Sequence, residues 1–134
     1  MLHRYLWALL ATATVAAGCS KTPEYVPIAG QVLYKDKPLT SGVVMFQPAN
    51  GPPARGNIQA DGTFQLTTTG KADGARIGTN KVRIASRGAG KDNAGEAALG
   101  SSQIPERYND IATSGLTAEV KSAANEAFVF RITD

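Results

Sequence analysis

Hydrophobic side chains in this chain recur mostly at every second position, in short runs broken by turn residues. Residues 26–34 put Ile28, Gly30, Val32 and Tyr34 on one side of an extended segment, and residues 42–47 place Val44 and Phe46 on a shared face. A two-residue period is that of a strand, whose successive side chains point to opposite faces. Pro48 stops the second run, and the ANGPP stretch at 49–53 is no central strand, because adjacent prolines supply no ladder donors. A weaker strand over 55–60 is predicted to turn at Asp61-Gly62 into 63–69, with Phe64 and Leu66 inward and threonines along the rest. This is the clearest hairpin pattern in the chain. Three further strands follow. Residues 79–85 set Val82 and Ile84 against Lys81 and Arg83, residues 116–121 alternate Leu116, Ala118 and Val120 with Thr117, Glu119 and Lys121, and Phe128, Phe130 and Ile132 alternate with Val129 and Arg131.

Turns are predicted at 35–38 and 70–77. Residues 86–103 carry four glycines and almost no bulky apolar side chain, which predicts a long disordered loop. Ile104 and Tyr108 re-enter order beyond it and are expected to pack on an open end of the core. The expected fold is all-β: a seven-stranded antiparallel two-sheet sandwich with no helix of ordinary length. Its predicted inner layer is Ile28, Val32, Val44, Phe46, Phe64, Leu66, Val82, Ile84, Leu116, Val120, Phe128, Phe130 and Ile132.

Composition sharpens this picture. Fourteen Gly and seven Pro in 134 residues favour many turns over long helices. With 43% hydrophobic and 19% charged positions the chain is neither disordered nor collagen-like. The formal charge of +3 is scattered rather than clustered, so no nucleic-acid partner is indicated.

The start of the chain has a different character. Arg4 precedes an uncharged apolar run from Leu6 to Ala17, a secretory signal pattern. Twelve helical residues span roughly 18 Å, short of the ~30 Å hydrocarbon layer, so a permanent transmembrane anchor fits less well. Val15-Ala16-Ala17-Gly18-Cys19-Ser20 then resembles the lipobox of bacterial lipoproteins, although Ala16 stands where Leu is commonest. That resemblance implies a signal peptide over 1–18, diacylglyceryl transfer to the Cys19 thiol, and acylation of the new amino terminus. Cys19 is the sole cysteine, and a lone thiol in an exported protein otherwise lacks a partner. Several acyl chains give stable anchoring where one gives marginal binding, so the expected location is the cell envelope, attached to a membrane through lipid. Ser20 rather than Asp after the cysteine favours the outer membrane over the inner. Residues 19–27 read as a lipidated tether.

Cleavage would remove His3, the sole histidine. Histidine-dependent nucleophilic systems and zinc sites then lack their ligands, and no metal or cofactor is expected. Asp61 and Asp73 each precede Gly and read as turn residues. The enzymatic alternative is a small hydrolase using Glu106 or Asp110 with Arg107 and Tyr108 nearby; solvated loop charges are the simpler reading.

The motifs Ile28-x-Gly30-x-Val32, Lys37-Pro38-Leu39, Gly42-Val43-Val44-x-Phe46 and Asp61-Gly62-Thr63-Phe64-x-Leu66 resemble carboxypeptidase regulatory-like domains, the transthyretin-like sandwiches. Ile104-Pro105-x-x-Tyr108 and 113–120 are similar to the second half of small bacterial lipoproteins built on that domain. The likeness covers nearly all of a domain placed at 28–134, departing at Asn80, where the family more often carries an aromatic residue. It implies a non-enzymatic binding or scaffolding module, since the domain accompanies catalysis elsewhere without performing it. A related ring hydrolase relies on histidines and a C-terminal Tyr-Arg-Gly-Ser motif, and this chain ends Phe130-Arg131-Ile132-Thr133-Asp134. The partner is left open between an envelope protein, a peptide and a glycan. A sugar-stacking platform is not visible, because the three tyrosines after the signal, Tyr25, Tyr34 and Tyr108, are dispersed and the Phe residues are assigned to the core.

Overall fold

In the computed structural model, residues 24–69, 73–91, 97–123 and 125–134 are described. The signal segment 1–18 and Cys19 lie outside the described residues. Strands run over β1 (Tyr25–Val26), β2 (Ala29–Tyr34), β3 (Lys37–Pro38), β4 (Val43–Pro48), β5 (Ala54–Asn57), β6 (Thr63–Gln65), β7 (Ala75–Arg76), β8 (Gly78–Ala85), β9 (Arg87–Lys91), β10 (Ala97–Ser102), β11 (Leu116–Val120) and β12 (Phe128–Ile132), with one 3₁₀ turn at Glu106–Asn109. One four-stranded sheet orders its strands β11-β8-β4-β5; a second runs β12-β2-β3, with β6 also paired to β2; β1 with β7 and β9 with β10 form two small two-stranded sheets. The fold is all-β.

Apolar faces of the two sheets meet through aromatic rings. The Phe46 ring of β4 lies 5.6 Å from Phe128, 5.9 Å from Phe130 and 6.5 Å from Phe64, all three on the opposite sheet. Every member of the predicted inner layer is buried except Leu116 and Phe128, which are half-buried against it. The core also takes in Val26, Leu39, Ala54, Ile58 and Ala75, short apolar positions that carry no periodic pattern of their own. Ile104 and Tyr108 are buried in it as anticipated. Met45 is buried on the outer side of its sheet, where the Arg83 Nε sits 3.3 Å from its sulfur and Arg83 also donates to the Asn109 carbonyl of the 3₁₀ turn.

Four expectations need correction. The described residues form more and shorter strands than the seven expected, because turns and irregularities divide the longer runs. The pairing is not wholly antiparallel: β12 lies parallel to β2, from Phe128 beside Gly30 to Ile132 beside Tyr34. Parallel neighbours need a long connection, and here most of the domain supplies it; strand direction leaves no trace in local alternation. The described residues of 86–103 do not form a loop without structure: β9 and β10 pair antiparallel, with Leu99 opposite Ala89 and Ala98 opposite Gly90, while residues 92–96 lie outside the described residues. Their glycines allow the close approach, since a Cβ on Gly90 would come within 2.8 Å of the Gly100 Cα. The buried Ser86 anchors their base: the hydroxyl donates to the Ser41 carbonyl (2.8 Å), and the Gln103 N–H donates to the Ser86 carbonyl (2.8 Å). Finally, the tether expected over 19–27 is part of the fold from Glu24 onward. Tyr25 pairs with Arg76, Val26 is buried, and Glu24 forms an ion pair with Arg76 at 2.7 Å.

The turn predicted at 35–38 contracts to two residues. Lys35 and Asp36 both take positive φ (51° and 61°), while Lys37 and Pro38 pair back onto Tyr34 and Leu33. A two-residue loop with both residues left-handed is the geometry that matches strand twist. Pro48 closes β4 from within: it pairs with Asn80 but stands past the end of β5, whose register stops at Phe46 opposite Ala54. Asn80 itself is fully buried, its amide donating to the carbonyls of Arg76 and Gly78 at 3.0 Å each.

Candidate functional site

The Asp61-Gly62 hairpin forms the corner that joins the two sheets. Arg55 and Thr67 exchange backbone hydrogen bonds (2.8 and 2.9 Å), and the Gln59 N–H donates to the Thr63 carbonyl (2.8 Å). The two arms nevertheless belong to different sheets, β5 pairing with β4 and β6 with β2. Gly56 makes the tight corner feasible, since a Cβ there would collide with the Gln65 carbonyl oxygen.

Because side chains alternate, every second residue on this corner faces outward. Cross-strand rows result. Thr63, Gln31 and Val129 stand side by side across β6, β2 and β12, and Gln65 stands beside Ala29. On the hairpin's other arm Arg55 faces Thr67, and Asn57 falls opposite Gln65 in the same register. Together these rows line a groove of about 820 Å³ with an open mouth. Its walls are amides and hydroxyls; its floor includes Ala29, Ala127 and the 53% exposed Val129. A smaller recess of about 330 Å³ adjoins it and shares Ala29, Gln65 and Ala127. Gln31 donates its amide N–H to the Asp61 carbonyl (2.9 Å), and Gln59 donates to the Asn57 carbonyl (3.3 Å). Among the described residues the Asn57 and Gln65 carboxamides have no hydrogen-bond partner, Arg55 has no ion-pair partner, and the groove lining contains no carboxylate.

Sequence reasoning did not find this groove. Its outward polar positions are visible in the alternation of 55–67, but such a pattern reads as an ordinary solvated face. The concavity depends on β12 and β2 lying alongside, which the local pattern does not encode.

The residues singled out for acid–base chemistry do not converge. Glu106 accepts from Asn109 Nδ2 (2.5 Å) and faces Arg87 at 3.6 Å, whereas Asp110 accepts from the Ala112 N–H (2.7 Å). Neither lines either cavity. Arg107 and Tyr108 are brought together, with the guanidinium 4.5 Å from the ring centroid and donating to the Tyr108 hydroxyl (2.8 Å) and the Thr133 carbonyl (2.9 Å). Burial raises the Tyr108 phenol, but its hydrogen bonds to Thr133 and Arg107 outweigh this and hold it below its ordinary value. This cluster fastens the end of β12 to the 3₁₀ turn. Beside it, Asp134 bonds Lys35 Nζ and the Tyr34 hydroxyl, each at 2.6 Å.

Asp61 holds the hairpin turn its Asp-Gly context predicts, whereas no turn is assigned at Asp73-Gly74 and Asp73 instead reaches back to Thr68 and Thr69. Asp61 accepts from the Thr63 hydroxyl (2.6 Å) and N–H (3.0 Å); Asp73 accepts from the Thr68 N–H (2.7 Å) and the Thr69 hydroxyl (2.7 Å). The Thr63 hydroxyl chiefly lowers Asp61, the Thr68 N–H chiefly lowers Asp73, and the Lys35 ammonium chiefly lowers Asp134, all from an ordinary value of 3.8. A carboxylate lowered in the folded state binds fewer protons there than when unfolded, so it contributes stability that is present above 3.8 and lost as pH falls through its depressed value. Chemical denaturation as a function of pH should therefore show stability falling below pH 3.8, with a smaller fall in Asp73→Asn. An identical acid slope in that variant would show that the Asp73 bonds do not persist in solution.

The chain matches no family model and no curated protein. Among solved structures it is similar to a 9R-lipoxygenase from Cyanothece PCC8801, with 14% identity and a TM-score of 0.42. The similarity covers 92% of this chain and 18% of that one, so the chain spans less than a fifth of the lipoxygenase. A likeness at this level says nothing about activity.

Proposed function

We propose that this protein is an exported lipoprotein, anchored to the cell envelope through Cys19 and presenting a non-enzymatic β-sandwich as a binding module. The observation that carries this reading is the uncharged run from Leu6 to Ala17 followed by Gly18-Cys19, with Glu24, the first described residue of the fold, only five positions beyond. A domain so close to its lipid would sit against the membrane surface on a short tether. The finer fold we assign is the transthyretin-like sandwich of carboxypeptidase regulatory-like domains, supported by the ordered motifs from Ile28 to Val120. Ser20 favours the outer membrane.

The surface best suited to a ligand is the groove on the β5–β6 corner, where free amides border an exposed apolar floor. Pockets that bind small molecules characteristically combine an apolar lining with a few placed polar groups.

Metabolic labelling with a fatty-acid probe tests the anchor. The wild-type chain should carry label in the membrane fraction, and Cys19→Ser should carry none. Equal labelling of both chains, or wild-type protein released without label, would refute lipidation at Cys19.

A further inference from the structure

At its centre the groove presents side chains rather than a free backbone edge. β2 is paired on one side to β12 and on the other to β6 and β3, β5 is paired to β4, and the hairpin bonds tie β5 to β6. An extended peptide that docks by strand addition gains its affinity from unpaired main-chain groups; β2, at the centre of the groove, is paired on both sides, and the edges left are β12 at one margin and β5 at the end of the other sheet, the latter covered in part by its backbone bonds to the facing hairpin arm at Arg55–Thr67 and Gln59–Thr63. A polyanion needs several cations, but among the described residues Arg55 is the sole charged residue of the lining. A cation would meet Arg55 and no carboxylate.

What the walls do offer is neutral and bifunctional. A carboxamide carries a donor N–H₂ and an acceptor C=O on one rigid plane, a spacing suited to two adjacent hydroxyls. Asn57 and Gln65 face each other across the hairpin with both functions unused among the described residues, and the Gln31 carbonyl oxygen has no partner there either, since only its N–H₂ is taken by Asp61. Beneath them Ala29, Ala127 and Val129 form an apolar strip on which the C–H face of a sugar ring could rest. Thr63 and Thr67 add hydroxyls at the side.

We propose that this groove binds a neutral saccharide chain, with Asn57 and Gln65 as paired recognition residues. The proposal rests on the reading of the protein as a binding module and names its ligand class. Among the described residues no aromatic ring lies open in the floor for stacking, so affinity is expected to be weak, with Kd on the order of 1 mM.

The test uses the full chain, isotopically labelled and purified in a detergent without a sugar headgroup, titrated by NMR with maltohexaose, cellohexaose, laminarihexaose and chitohexaose in turn. At least one of these should shift the side-chain amide signals of Asn57 and Gln65 saturably. The double variant Asn57→Ala/Gln65→Ala should weaken that binding about tenfold or more. Lys81→Ala, outside the groove, should leave it unchanged. The substituted positions are outward-facing, and an unchanged far-ultraviolet spectrum confirms that the variant is folded. Polygalacturonate and a neutral strand-forming decapeptide serve as competing classes. Saturation by either of these without any by the four neutral chains would overturn the proposal, as would the absence of any amide shift at about 10 mM sugar. Such a failure would leave the fatty-acid labelling of Cys19 unaffected, so the ligand class and the anchored-module reading fall separately.

Discussion

Phe64→Ala is expected to destabilise the fold by about 3–5 kcal/mol, the range for removing a buried aromatic ring from a packed core. The ring is 1% exposed, stacks on Phe130 at 6.2 Å with 22° between planes, and meets Phe46 at 6.5 Å. It is one of the few side chains through which the β6 edge of one sheet touches β4 of the other. Truncation would both expose apolar transfer cost and leave a cavity that the surrounding strands, fixed by their ladders, fill only in part. For a domain of this size each kcal/mol corresponds to roughly 4 °C, so the melting temperature should fall by roughly 10–20 °C. Urea denaturation of the wild type and the variant measures the difference directly. A loss under about 1 kcal/mol would place Phe64 outside the core. Phe128→Ala, at a half-buried site on the margin of the same cluster, should cost less.

The second large effect is expected from adding one carbon rather than removing six. Gly30 lies on β2 with its missing side chain directed inward, where a Cβ would sit 2.5 Å from Phe64 Cζ and closer still to the Phe128 carbonyl oxygen. Replacing Gly by Ala in a strand interior normally recovers roughly 0.5–1 kcal/mol of backbone entropy. Here the steric term opposes that gain and exceeds it, because one obstacle is the backbone of the parallel neighbour and the other a ring locked in the core. Gly30→Ala should therefore destabilise by about 3 kcal/mol, the upper part of the range for overpacking. A double-mutant cycle separates the two obstacles. Gly30→Ala combined with Phe64→Leu should be less destabilising than the sum of the single changes by at least about 0.5 kcal/mol, since the smaller side chain vacates the space the new methyl needs. Strict additivity would mean that the Phe128 carbonyl alone sets the cost.

Gly30 also shows where reading the sequence stops. Its place in the Ile28-x-Gly30-x-Val32 alternation marks it as inward-facing, but nothing local says that its missing side chain is occupied by a ring 34 positions away and by a strand that returns almost a hundred residues later. The Gly-rich stretch at 86–103 is the converse case. Low hydrophobicity suggests disorder, whereas in its described residues backbone pairing joins β9 and β10, strands of small residues anchored through Ser86. Ladder hydrogen bonds are indifferent to side-chain apolarity, so composition is a poor witness to them. Residues 24–27 were likewise polar and Pro-containing enough to read as tether, yet Val26 has a buried partner in Ala75.

The sequence by itself determined that the fold is built of strands, which side chains fill its interior, and that Asp61 serves a turn. Each of these follows from alternation or from the local chemistry of two or three neighbouring residues. Only the tertiary structure decided strand direction, the parallel seating of β12 on β2, and the groove in which Asn57 and Gln65 confront each other. Those features are relations between segments far apart in the chain, fixed when the two sheets close over one aromatic core, and no period along a single strand carries them.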